Sequence, residues 1–94
     1  MHVRWSPAAA ADLSGIVQYI RQENPEAARR VAKTIYESAA SLRDFPFKGR
    51  IGRVDGTREL ALSPLPFILV YRVLRDAVEI ANVIHGAQKW PPNR

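Results

Sequence analysis

One histidine and two cations are the residues of this sequence best suited to acid–base chemistry. His85 ends an apolar run just before Gly86, and its imidazole can exchange a proton near neutral pH. Arg72 and Lys89 could flank a phosphate and stabilise the charge that develops on it. The three together would suit metal-independent cleavage of a phosphodiester, with His85 as the acid or base. The alternatives are a hydrogen-bonded histidine at a strand end and an Arg72 that pairs with Glu79.

A second group of cations lies in or beside the segment 46–56, which three glycines and several charged residues mark as one long loop. Four basic side chains could contact a phosphate or another target: Lys48, Arg50, Arg53 and, just after the loop, Arg58. For the three loop cations, the alternative is a solvated, flexible loop. For Arg58 it is a salt bridge or a partly buried stem with an exposed charge.

Several other chemistries lack their residues. The chain has no cysteine and two histidines, which excludes disulfides and makes a zinc site improbable. We find none of the recognised glycine-rich phosphate loops, no HExxH and no GxSxG. The sequence therefore predicts neither a metal nor a cofactor.

Charge and hydropathy indicate the compartment and the kind of partner. With 14 Lys plus Arg against 9 Asp plus Glu, the net charge is +5, which suits an acidic partner, either nucleic acid or protein. No apolar run approaches the 18 residues or so of a membrane span, and no signal-peptide pattern is present. We expect a cytoplasmic protein that does not bind a membrane.

Two amphipathic helices should precede the residues described above. Ser6-Pro7 and Asn24-Pro25 each combine an N-cap with a proline at the first helical position, and Asp12 suits the start of the first helix. The connection at Asn24 is so short that the helices should form an antiparallel hairpin. Their apolar stripes are Leu13, Ile16, Val17 and Ile20 in the first, and Ala28, Val31, Ile35, Ala39 and Leu42 in the second.

Residues 57–86 read as three strands joined by turns at 63–66 and 75–76. His2–Trp5 reads as a further short strand added to this sheet. The fold class is therefore α+β in the order β-α-α-β-β-β, with the helix hairpin on one face of a small, mainly antiparallel sheet and one domain over residues 1–94. The turns predict a register that pairs Val73 with Val78, Leu69 with Asn82, Phe67 with Ile84 and Arg58 with Tyr71. This register places Arg58 and the following apolar or aromatic side chains on the helix side: Leu60, Leu62, Phe67, Leu69, Tyr71, Val73, Val78, Ile80 and Ile84.

The same register leaves Glu59, Arg72 and His85 on the opposite face of the sheet. It also places Ile68, Val70 and Val83 there, as an apolar patch that typically marks a partner site. The alternative is that the tail 87–94, which carries Trp90, folds back and covers the patch.

Four segments carry a family resemblance: WSPAAAADL at 5–13, NPEAA at 24–28, GRIGRVDGTREL at 49–60, and PFILVYRV followed by VEIANVIHGAQKWP between 66 and 91. Their order and spacing span nearly the whole chain. In this arrangement the chain resembles the RelE/ParE superfamily of toxins from bacterial type II toxin–antitoxin systems, which include plasmid-stabilisation modules.

The resemblance implies a growth-inhibiting protein that an acidic antitoxin, encoded beside it, neutralises in a hetero-oligomer. The antitoxin would bind the partner face, here Ile68, Val70, Val83 and Trp90. RelE-like members cut messenger RNA on the ribosome, whereas ParE-like members poison DNA gyrase and are not nucleases. Arg58 and Arg72 match the family, and His85 is positioned like the C-terminal histidine of some RelE-like members. The chain lacks a tyrosine after the last strand, however, and the lysine-rich patch is reduced to Lys48, Arg50 and Arg53. Both targets stay open, and a non-toxic nucleic-acid-binding module is a third possibility.

Overall fold

The computed structural model of the chain describes residues 1–92 and has the predicted α+β architecture, with one additional strand. The elements are β1 (His2–Trp5), α1 (Pro7–Arg21), α2 (Pro25–Ser41), β2 (Arg50–Ile51), β3 (Arg58–Ala61), β4 (Phe67–Val73) and β5 (Ala77–His85). The strand order in the sheet is β1-β5-β4-β3-β2. β1 runs parallel to β5 and the other neighbours are antiparallel. β2 lies inside the segment predicted as a loop. The sequence does not predict this strand, because two residues are too few to show a strand period.

Both predicted helix starts are confirmed. The Ser6 hydroxyl accepts a hydrogen bond from the Ala9 N–H at 3.0 Å, and the Asn24 side-chain oxygen accepts one from the Ala27 N–H at 3.0 Å. The Ser6 hydroxyl also donates to the Ala81 carbonyl at 2.9 Å. This residue therefore caps α1 and joins its start to β5.

The core lies between the helix hairpin and one face of the sheet. Ala9, Ile35, Ala39 and Leu42 from the helices pack there against Leu62, Leu69, Tyr71, Val78, Ile80 and Val83. The predicted pairings of Arg58 with Tyr71 and of Val73 with Val78 are confirmed. Near the turns the sequence therefore predicts the register correctly.

A β-bulge changes the register further along β5. The shift falls between Val70 and Tyr71 of β4, and Ala81 is the extra residue on β5. Because side chains alternate between faces, one extra residue exchanges the faces of every residue beyond it. Val83 and His85 therefore lie on the helix side, and Ile84 on the opposite side. The corrected pairs are Leu69 with Val83 in place of Asn82, and Phe67 with His85 in place of Ile84.

Asp12 satisfies the edge of β5 beyond the end of β1. Its Oδ2 accepts hydrogen bonds from the Val83 N–H at 2.9 Å and the Asn82 Nδ2 at 3.1 Å. β1 pairs with β5 only as far as Ile80, so this carboxylate takes the place of a neighbouring strand. Its partner is the sheet edge, not the start of α1 as the sequence suggests.

Replacing Asp12 with alanine should lower the free energy of unfolding by about 2 kcal/mol, because a backbone N–H on a half-buried strand edge loses a charged acceptor. Urea denaturation followed by circular dichroism measures the change. Glu37→Ala, on the exposed side of α2, is the matched control and should change stability by less than about 0.5 kcal/mol. Equal effects of the two substitutions would contradict the assignment.

Candidate functional site

A buried carboxylate on β3 holds the basic loop. Glu59 is 2% exposed. Its Oε1 accepts hydrogen bonds from Arg50 Nη2 and Arg53 Nη2, both at 3.0 Å. Its Oε2 accepts from the Arg53 backbone N–H at 2.9 Å and from Arg53 Nε at 3.2 Å. The carboxylate therefore ties β2 and the residues after it to the sheet.

Two opposing effects act on the pKa of Glu59. Burial by itself raises the pKa, since it penalises the charged form. The hydrogen bonds from Arg53 and Arg50, together with the Arg53 charge, outweigh burial and lower the pKa from 4.5 to about 2. Glu59 is therefore ionised at neutral pH, and the two arginines compensate its charge.

Two further side chains of the sheet hold the same loop from the helix side. The buried Tyr71 hydroxyl donates to the Pro46 carbonyl and accepts from the Gly49 N–H, both at 2.8 Å. Arg58 Nη1 donates to the Gly49 carbonyl at 2.8 Å, and its guanidinium lies 5.0 Å from the centre of the Phe47 ring. Burial raises the pKa of Tyr71, against the Gly49 hydrogen bond and the Arg58 charge. The inward positions predicted for Tyr71 and Arg58 are confirmed.

Above these anchors the loop presents apolar side chains to solvent. Phe45 and Phe47 are each 65% exposed, and Ile51 is 73% exposed. Residues 44–48 line an open groove of about 640 Å³. Lys48 is exposed beside them, and the Arg50 side chain is 68% exposed despite its bond to Glu59. We call Phe45, Phe47, Lys48 and Ile51 the loop surface; the Arg50 side chain lies on the other face of the sheet, with Glu59.

The three residues proposed for acid–base chemistry do not form one site. Arg72 pairs with Glu79 across the strands, whereas His85 lies six residues further along β5. At about 3.4 Å per residue this separates them by roughly 20 Å. They also lie on opposite faces of the sheet because of the bulge, so the prediction that they share a face is wrong. Lys89 is exposed in the tail.

The surroundings of Arg72 and His85 are those of structural residues. Arg72 Nη1 lies 3.7 Å from a Glu79 oxygen, as the sequence predicts, and Arg4 Nε lies 3.7 Å from the other oxygen. The His85 ring stands edge-on to Phe67, with 5.7 Å between ring centres. Its Nδ1 accepts a hydrogen bond from the Ala87 N–H at 3.0 Å. These contacts match the alternatives of a cross-strand ion pair and a strand-end histidine.

The face opposite the helices is not the exposed apolar patch that the sequence suggests. Val70 is 1% and Val83 is 4% exposed, and Val83 belongs to the helix-side core. Ile84, which the bulge turns to this face, is 2% exposed. Ile68 is half-buried, as is Trp90, whose indole Nε1 is enclosed. Ile68 and Trp90 thus remain predicted partner contacts, whereas Val70 and Val83 are covered in the chain alone.

The family model described as "ParE toxin of type II toxin-antitoxin system, parDE" matches residues 3–90. The chain belongs to the ParE toxin family. It is therefore a toxin of a type II toxin–antitoxin system, and its partner is an antitoxin. The superfamily and fold predicted from the sequence are confirmed.

Individual relatives agree with this assignment. The toxin is 43% identical over 89 residues to the "Putative toxin Y4kP" of Sinorhizobium fredii, which covers 95% of this chain and 92% of the relative. It is 37% identical over 86 residues to "Toxin RelE2" of Caulobacter vibrioides, covering 92% and 96%. A solved structure titled "Chromosomal ParDE TA system from P. aeruginosa" superposes with a TM-score of 0.84 at 30% identity, covering 90% of the toxin and 95% of that chain.

Within residues 1–92 of the toxin, no three side chains of His, Asp or Glu come together as a metal site. Over the same residues, no helix is both long and apolar enough to cross a bilayer.

The residues that organise the basic loop escape prediction from the sequence. Glu59 is placed there on an open sheet face, and Phe45, Phe47 and Ile51 receive no role. The available signal was an acidic residue of a predicted strand directly after strongly basic neighbours, since Arg50, Arg53 and Arg58 all lie within the nine positions before Glu59. An acid so placed is a natural partner for the loop arginines.

Proposed function

We propose that the toxin acts by contact, as an inhibitor of DNA gyrase, and that it does not cleave RNA. The observation that supports this most directly is the separation of Arg72 and His85. Acid–base cleavage needs an acid, a base and a cation within hydrogen-bonding reach of one phosphate. Two residues that lie roughly 20 Å apart along the strands, with side chains on opposite faces of the sheet, cannot meet that condition.

The remaining cations support the same proposal. Arg53 is engaged by Glu59, and Arg58 by the Gly49 carbonyl and the Phe47 ring. Their predicted role as phosphate contacts is thereby replaced by one of support for the loop. Lys48 and Arg50 project into solvent and are the proposed contacts with the target. Membership in the ParE toxin family is consistent with a binding poison.

The proposal extends to the setting of the toxin. The antitoxin is encoded beside the toxin. It is acidic, because a chain of net charge +5 favours a partner of opposite charge. The two chains form a hetero-oligomer in the cytoplasm. Release from the antitoxin would free the toxin to reach gyrase.

The test is to induce the toxin alone and to assay purified toxin against gyrase. We expect loss of gyrase supercoiling, broken chromosomal DNA and protein synthesis that is initially intact. His85→Ala and Arg72→Ala should each leave growth inhibition within about twofold of the unmodified toxin, since neither residue reacts with substrate. Intact DNA together with cleaved messenger RNA, abolished by His85→Ala, would show that the toxin is a nuclease.

A further inference from the structure

We propose that the loop surface is a docking site for the antitoxin, and that it binds a segment in which acidic and apolar residues are interleaved. The proposal relies on the family assignment and on the acidic character proposed for the antitoxin, and it does not require gyrase to be the target. Three independent features of the loop surface support it.

The first feature is the concentration of exposed apolar area. Within residues 1–92, six large hydrophobic side chains are at least half exposed, and three of them, Phe45, Phe47 and Ile51, fall within seven positions. Single exposed apolar residues are ordinary, but Phe45 and Phe47 line the same groove, and apolar side chains grouped on one surface mark an interaction site. Aromatic side chains are also the most frequent energetic anchors of protein interfaces.

The second feature is that the loop is held in place from beneath. Tyr71 and Arg58 bind its backbone at Pro46 and Gly49, and Glu59 binds its arginines. A surface already fixed in its binding conformation loses little conformational entropy when a partner arrives. The anchors therefore fix apolar side chains that contribute little to the toxin's own core, which is the arrangement of a preformed docking site.

The third feature is charge, and it selects the partner. Arg43, Lys48 and Arg50 are exposed within residues 43–51, against a single acidic residue in that segment, Asp44. An acidic segment would be attracted to these cations, while its apolar residues cover Phe45 and Phe47. The antitoxin is the protein partner that the family assignment supplies. Bound there, it would also cover Lys48, one of the two proposed target contacts, which accounts for neutralisation by direct occlusion.

The apolar part of the proposal is tested with the double variant Phe45→Ser/Phe47→Ser and the full-length antitoxin encoded beside the toxin. Calorimetric titration should show affinity weakened by about 30-fold or more, as for the loss of two interface anchors. Both residues are exposed, so circular dichroism should show an unchanged fold. The matched control is Tyr19→Ser, which removes an aromatic side chain that is 77% exposed on α1 and should change affinity by less than about threefold.

The charged part is tested with Lys48→Glu, which should weaken antitoxin binding by about tenfold at low salt and reduce its salt dependence. Lys33→Glu, on the exposed side of α2, makes the same change in net charge away from the loop and is the control. Equal weakening by the two charge variants would overturn the acidic assignment.

Two results would overturn the docking site itself. One is antitoxin affinity within about twofold of the unmodified toxin for the folded double variant. The other is a double variant that binds the antitoxin normally but no longer inhibits growth, which would assign the loop surface to the target. Failure of the unmodified toxin to inhibit gyrase, with antitoxin binding still weakened by the double variant, would remove the proposed function and leave the docking site standing.

Discussion

Glu59→Gln is expected to lower the free energy of unfolding by about 3 kcal/mol, although glutamine has nearly the same shape. The substitution removes the negative charge that compensates Arg50 and Arg53, and the amide cannot accept all four hydrogen bonds that the carboxylate accepts. Because the two arginines are partly exposed and can be rehydrated, the loss should fall at the lower end of the range for a broken buried ion pair. Urea denaturation at pH 7 measures it.

The same prediction has a pH dependence with a definite sign. The folded-state pKa of Glu59, about 2, lies below its ordinary value of 4.5, so the unfolded chain binds the proton more readily. The stabilisation is complete above about pH 4.5 and is lost as the pH falls towards 2. The difference in unfolding free energy between the unmodified toxin and Glu59→Gln should therefore shrink over this interval. A difference that stays constant from pH 6 to pH 2.5 would contradict the ion pairs.

Gly49→Ala should lower the free energy of unfolding by about 3 kcal/mol. A Cβ at this buried position would lie 2.7 Å from the Tyr71 hydroxyl and 2.8 Å from the Glu59 backbone oxygen. The hydroxyl is held by its hydrogen bonds to the Gly49 N–H and the Pro46 carbonyl, and the Glu59 oxygen belongs to the backbone of β3, which pairs on both sides. The expected consequence is a displaced loop as well as a less stable protein, which thermal unfolding followed by circular dichroism detects.

Gly15→Ala is the matched control for this prediction and should act in the opposite direction. Gly15 lies within α1, and an added Cβ would meet nothing within 4 Å. Alanine favours a helix over glycine, so stability should rise by up to about 1 kcal/mol. If both substitutions destabilise the toxin equally, the close contact at Gly49 is not the cause.

Much of the fold follows from local signals in the sequence. Ser6-Pro7 and Asn24-Pro25 fix the starts of both helices. In each pair the first side chain accepts a hydrogen bond from a free backbone N–H of the first turn, and the proline has no N–H to satisfy and a backbone angle that suits a helix. The tight turn at 75–76 fixes the pairing of Val73 with Val78. In each case the determining residues are close together in the chain.

The bulge in β5 could not be predicted in the same way. A register shift is visible in a sequence when polar and apolar residues alternate and the alternation changes phase. From Ile80 to Ile84, four of five residues are apolar and both faces of the sheet are covered. The alternation of polar and apolar residues is therefore too weak to show where the register shifts. As a result, the sequence assigns Val83, Ile84 and His85 each to the wrong face of the sheet.

The candidate site was only partly predictable for a related reason. Its cations are visible in the sequence, but their availability depends on partners that are distant in the fold or hidden by loop geometry. Glu59 binds both Arg50 and Arg53, and the Gly49 carbonyl binds Arg58, whereas Lys48 is exposed and the Arg50 side chain stays 68% exposed. Exposure of Phe45, Phe47 and Ile51 depends on how the loop is anchored, which periodicity does not report.

The parallel pairing of β1 with β5 determines when the toxin can complete its fold. β1 is far from its partner strand in the sequence, since His2 pairs with Ala77 and β5 ends at His85. Until that strand is made, Val3 and Trp5 have no sheet to join, and the helix hairpin has no complete apolar surface to cover. Contacts so distant in sequence form late and slowly. The parallel edge of the sheet should therefore close late in folding, after the hairpin of β4 and β5 has formed.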